Sequence, residues 1–232
     1  MINRRLFVLK IIAVLVLTGF VMDGSAHAAN PARYSIDMRY NLTEPAISED
    51  LKADKKMRGT LIAVAEFTDT RSVADKKVIG WVKEIDGSKV PVFPKQEIPT
   101  RASADGIKEY LQKAGYLVAG EMVQWDLKEG TLPKGKGKVI IGGAIEVLEA
   151  SCWTGVFSND YKVNLKLHLV VADAAKRKIL YKGNVTVDSS KTDVSFSEGY
   201  FGYLASGALN EAIAKAFEGK TVAQKLREAI LQ

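Results

Sequence analysis

The sequence predicts an α/β (α+β) fold: a two-layer sandwich in which a mixed, mostly antiparallel sheet of five or more strands carries two main helices on one face, with a short C-terminal helix. Three observations carry this expectation. Leu61 to Ala65 is apolar at every position, as in a strand covered on both faces. Three consecutive segments beyond Lys138 repeat their apolar side chains with the period of two that marks a strand. Ser103–Ala114 and the stretch from Gly199 instead space them along one side of a helix. Strands, helix, strand, meander and helix in that order pack most simply as a helical layer on one sheet.

The first residues read as an address rather than as fold. Arg4 and Arg5 precede an apolar run from Ile11 to Met22, and Ala26, His27 and Ala28 then give the A-x-A pattern at which a signal peptidase cuts. That run is short of the about 20 residues a bilayer span takes. Residues 1–28 are therefore expected to be a cleavable signal peptide, residues 29–59 an N-terminal strand and polar connector, and residues 60–232 a single α/β domain in the periplasm.

Along the exported chain, Ile36, Met38, Tyr40 and Leu42 alternate with polar residues as in a first or edge strand. A polar connector leads from Thr43 to Arg58, ahead of the central strand. Two β-rich runs between Val78 and Phe93 flank Asp86 and Gly87, a pair that tolerates the positive φ of a tight hairpin. Pro91 and Pro94 predict that the second of these runs is an edge, because proline cannot donate to a ladder. The Ser103–Ala114 helix should stop at Gly115, and Tyr116–Val123 should return as a short strand. Gly130–Lys138 reads as a solvated loop before the three-strand meander. The last helix should start on a capping box formed by Thr221 and Gln224.

Composition narrows function by exclusion. With 47% hydrophobic and 26% charged residues the chain is an ordinary globular protein. Its net charge of +6 becomes +4 once Arg4, Arg5, Lys10 and Asp23 leave with the signal. Such a balance permits contact with an anionic envelope component, yet no basic motif interleaved with aromatics points to nucleic acid. Membrane contact is expected to be peripheral at most, and a homo-oligomer is compatible with the sequence. A lone cysteine, Cys152, cannot form an intramolecular disulfide.

The chemistry-bearing patterns are weak. His168 is the single histidine of the exported chain and sits mid-strand, so neither a catalytic triad nor a zinc site can be assembled around it by sequence. Gly219, Lys220 and Thr221 resemble the end of a phosphate loop, but Ala214 stands where the first glycine belongs. Gly130–Lys136 has the glycine spacing and lacks the following Ser or Thr. Carboxylate pairs, Glu66 with Asp69 and Glu146 with Glu149, could serve acid–base chemistry if a cleft held them. Cys152, Trp153 and Phe157 form an aromatic stretch that is either a contact surface or a buried core corner. No catalytic, cofactor-binding or metal-binding residue is assigned.

Two short motifs are distinctive together: Phe67, Asp69 and Arg71 followed by Ile79 and Gly80, and the stretch Tyr110 to Val118 containing Gly115. In this order they resemble the YajG family of bacterial envelope lipoproteins. The resemblance implies an accessory, non-enzymatic role in a Gram-negative envelope, and the expected role of these motif positions is structural. The chain departs from the family in lacking the lipid-bearing cysteine. The expected function is thus a periplasmic binding or accessory protein without cofactor; the alternative is a periplasmic hydrolase using carboxylates.

Overall fold

The computed structural model describes residues 33–41 and 47–231, so the expected signal peptide lies outside the described residues. These form strands β1 (Tyr34–Ile36), β2 (Leu61–Val64), β3 (Thr68–Asp69), β4 (Gly80–Lys83), β5 (Lys89–Pro94), β6 (Leu117–Val118), β7 (Val139–Thr154), β8 (Asn159–Asp173) and β9 (Lys178–Asp193). The helices are α1 (Pro99–Lys113), α2 (Glu198–Glu218) and α3 (Lys220–Leu231).

All nine strands belong to one mixed sheet organised by β7. One edge of β7 pairs antiparallel with β8 from Val139 to Thr154, and β8 pairs likewise with β9. The opposite edge takes three short parallel partners in tandem: β2 at Val139–Ile141, β3 at Ala144–Ile145 and β4 at Ala150–Trp153. Beyond β2 lies β6, and beyond β4 lie β5 and then β1. The expected α+β class with a mostly antiparallel sheet stands, but the flat sandwich is corrected to a curled half-barrel. A bulge at Glu146, between the paired residues Ile145 and Val147, bends β7 in its middle.

The helices cover one face. Ile62, Val64, Ile141, Leu165 and Leu167 join Ile107, Leu111, Phe201, Leu209, Ile213 and Leu226 in the main core. The other face is covered only near the start of β7, where Trp125 and Leu132 close over Ala63, Ile140 and Val170. Gly130–Lys138 is therefore a lid on the sheet and not a freely solvated loop: Leu132 is buried, and Arg177 donates to the carbonyls of Leu132 and Gly130 at 3.2 and 2.8 Å. At the far border of the meander β9 buries only Val187 and has nothing beyond it among the described residues.

Several sequence expectations are corrected. The alternation from Ile36 to Tyr40 continues past β1, yet its backbone leaves the sheet for α2. Arg39 N–H donates to Ser206 Oγ and Asn41 N–H to Asn210 Oδ1, both at 3.2 Å, so a helix completes what looks like a strand. The connector is not polar throughout: Leu51 and Met57 are fully buried. β5 is not an edge, because β1 adds through Val92, Phe93 and Pro94, and the N–H that answers Ile36 comes from Lys95. Pro99 starts α1 at its first turn, where no N–H is needed, ahead of the expected Ser103. Thr221 lies inside α3, since Gly219 ends α2 and α3 begins one residue later.

Gly80 is where β4 meets β7 most tightly, and a Cβ there would overlap the Ala150 carbonyl oxygen. Gly80→Ala should lower stability by about 3 kcal/mol or prevent folding. Gly59→Ala, which meets nothing within 4 Å, should stay within about 0.5 kcal/mol of wild type. Urea unfolding of the two variants side by side checks this.

Candidate binding groove

The residues of the first motif converge on one place. β3 holds Asp69 against Ile145 of β7, and the chain then loops outward through Ser72–Lys77 before entering β4. Arg71 turns back under that loop and is almost fully buried, its side chain 3% exposed. Its guanidinium grips Asp69 through Nε at 3.0 and 3.1 Å and Nη2 at 2.7 Å. It also donates to the carbonyls of Lys76 at 2.6 Å, Val78 at 3.0 Å and Leu148 at 3.4 Å. One side chain thereby ties both ends of the loop to β7. Burial raises the Asp69 carboxyl, but the hydrogen bonds and charge of Arg71 outweigh it and hold the group below the usual carboxylate range.

The other motif positions are packed beside this strap. Phe67 lies against Gly143, where a Cβ would strike its ring, Ile79 is buried, and Gly80 gives the close approach to β7. Gly115 is remote from them and closes α1 in the left-handed conformation, φ +93°.

Over Arg71 opens a groove of about 860 Å³, lined by Val73, Val78, Trp81, Pro91, Phe93 and Val147 with Glu146 and Glu149 at its border. Val73 and Trp81 remain 45% and 42% exposed. Sequence reasoning placed Asp69 and Arg71 but missed Val73 and Trp81. The signal for Trp81 was present: in β4 it alternates with buried Gly80 and Val82, which puts it on the sheet face away from the helices.

The remaining candidates are dispersed. Glu146 is ion-paired with Lys166 at 2.8 Å, and Glu66, away from Asp69, accepts from Gln124. His168 is half-buried in β8, its Nδ1 2.6 Å from Asn184 Oδ1. Cys152 is removed from the contact surface: it points into the core, 1% exposed, because β7 alternates and Cys152 shares the phase of Ala150. Trp153 and Phe157 are exposed. Among the described residues no His, Cys, Asp and Glu gather as metal ligands, and no helix is long and apolar enough to cross a membrane.

No protein-family model and no curated protein sequence matches the chain. Solved structures similar to it include protein XCC0632 from Xanthomonas campestris, of family model DUF330, at 9% identity and TM-score 0.47, over 85% of this chain and 99% of that one. The hypothetical protein CT253 from Chlamydia trachomatis is similar at 11% identity and TM-score 0.42, over 71% and 98%. Lipoprotein GNA1162 from Neisseria meningitidis is similar at 13% identity and TM-score 0.30, over 66% and 95%.

Because the folded Asp69 carboxyl lies below its unfolded value, the stability it contributes is complete above about pH 4 and is lost as pH falls through the folded value. Arg71→Met should cost about 3 kcal/mol near neutral pH by leaving a part-buried carboxylate with only the distant Lys76, 3.9 Å away, to answer it. It should also flatten or reverse that acid-side loss, which urea unfolding at pH 7 and pH 3 will show.

Burial, with help from the Asp160 and Glu84 carboxylates, pushes the Cys152 thiol up to about 12. A disulfide reagent at pH 8 should therefore leave the native protein unlabelled and modify one thiol after denaturation.

Proposed function

We propose that this chain is a YajG-like accessory protein of the bacterial envelope, exported and processed after Ala28, that binds an apolar ligand without catalysing a reaction on it. The observation that carries the reading is the groove above Arg71, an apolar wall held open on a loop that is fixed rather than loose. Val73 and Trp81 stand exposed together there, and contiguous apolar exposure of this kind marks binding surfaces.

The competing reading, hydrolysis by carboxylates, finds less support in the same place. Asp69 accepts its hydrogen bonds from a buried guanidinium, and Glu146 is paired with Lys166. A proton-transferring carboxyl needs its pKa moved toward neutrality, and Arg71 moves that of Asp69 the other way.

Two measurements test the proposal. Anilinonaphthalene sulfonate should brighten on the purified protein, and Trp81→Glu should remove most of that gain with an unchanged circular dichroism spectrum. Turnover of a generic ester, phosphate or glycoside that disappears on changing Glu146 or Glu149 alone would overturn it. Cell fractionation with N-terminal sequencing should find a chain beginning at Ala29 in the periplasm; retention of Met1 in a carbonate-resistant membrane fraction contradicts the processing step.

A further inference from the structure

The sheet has a second apolar feature, at its opposite border from the lid formed by Trp125 and Leu132. Register aligns Lys89, Lys83, Trp153, Asp160 and Thr192 in one row across β5, β4, β7, β8 and β9. Just beyond that row come the β4–β5 turn, the β7–β8 turn and the exit from β9. Each presents large apolar side chains to solvent: Ile85 is 67% exposed, Val156 76%, Phe157 88% and Val194 83%. No core-forming role accounts for them, and three separate turns place them at one end of the molecule.

That end is firmly built. Tyr161 hydroxyl accepts from Ser197 N–H at 2.9 Å and donates to the Ser195 carbonyl at 3.1 Å, fixing the chain that carries Val194. Thr154 Oγ1 donates to the Lys83 carbonyl at 3.2 Å and so ties the two turns together.

Charge there is mixed. Arg33, Lys83, Lys89, Lys162 and Lys191 are exposed and have no ion pair among the described residues. The neighbouring carboxylates keep their charge but are each held by a neutral donor: Glu84 by Tyr34, Asp86 by Ser88 N–H, Asp160 by Thr192 and Asp193 by Ser195 N–H.

The chain also enters the fold here. β1 runs parallel to β5, so Tyr34 is at the end from which β5 starts, and its hydroxyl reaches Glu84 at 2.6 Å. The first strand thus joins the domain at the end bearing the exposed apolar turns.

From these features we infer that the β4–β5 and β7–β8 turns, with Val194, dock on a lipid bilayer: the apolar side chains enter the interface and the surrounding cations meet lipid phosphates. This goes beyond the groove and does not depend on it.

The test uses the chain Ala29–Gln232, whose described core lies wholly within the compact unit Ala32–Gln232. It should co-sediment with vesicles of phosphatidylethanolamine and phosphatidylglycerol at 3:1. Val156→Asp with Phe157→Asp should weaken that binding about ten-fold or more. Both positions are exposed at a turn closed by Gly155 N–H and the Ser158 carbonyl, so folding should be unchanged by circular dichroism. Ile85→Asp in the separate β4–β5 turn should weaken binding in the same direction. Absence of co-sedimentation, or equal binding by the variants, overturns the inference. So does self-association without vesicles that the variants abolish, because the turns would then meet a second copy of the chain. Loss of dye binding in Trp81→Glu with vesicle binding intact leaves this inference standing and separates it from the groove.

Discussion

The sixteen-residue β7 takes strand partners on both edges, and that arrangement determines where the other strands lie. A long antiparallel partner on one side keeps the strand straight enough to be shared. On the other side β2, β3 and β4 follow one another in the same direction: β2 reaches β3 across only three residues, whereas longer excursions leave the sheet farther on. Those excursions shape the outer face of the sheet. Between β3 and β4 the excursion is the Arg71 loop, and between β2 and β7 it contains α1 and the lid carrying Trp125. The bulge at Glu146 falls between the β3 and β4 segments, under the groove, where the sheet has to bend.

A buried arginine is a costly way to hold a loop unless its donors are answered. Arg71 reaches one carboxylate and three carbonyls, so its charge is matched while the backbone oxygens left over by the excursion are satisfied. The result is an apolar groove on a rigid frame. Rigidity matters for a binding surface, since side chains already in place lose little freedom when a ligand arrives.

Much of the sheet was legible from residues alone, because β8 alternates buried and outward positions from Asn159 to His168 and the helices bury one side. The hairpin at Asp86 and Gly87 follows from backbone chemistry in the same way: Gly87 has φ +86°. Other features depend on partners far away in sequence. The extended run after Ile36 has the strand pattern, but Ser206 and Asn210 on α2 receive it, and no local rule distinguishes a helix's polar side chains from a sheet edge as acceptor. β5 looked like an edge because prolines cannot donate, yet β1 joins through neighbours whose donors are intact. Asp69 and Arg71 could be read as a pair two residues apart. Trp81 could not be placed in a groove, because its wall comes from strands separated by the whole of α1.

A strand that ends a sheet also has to keep the next molecule away. β9 extends from Lys178 to Asp193 with no strand beyond it among the described residues, and only its start is answered there, Ile179 N–H donating to Glu129 at 2.8 Å. Lys178, Lys182, Asp188, Lys191 and Asp193 punctuate it with charge, and Tyr181 folds over Gly183 where the strand would otherwise be bare. An incoming strand would have to strip water from those charges to pair. The same side chains that make β9 look poorly packed thus guard against aggregation, and the meander can expose a long edge without templating the addition of a further strand.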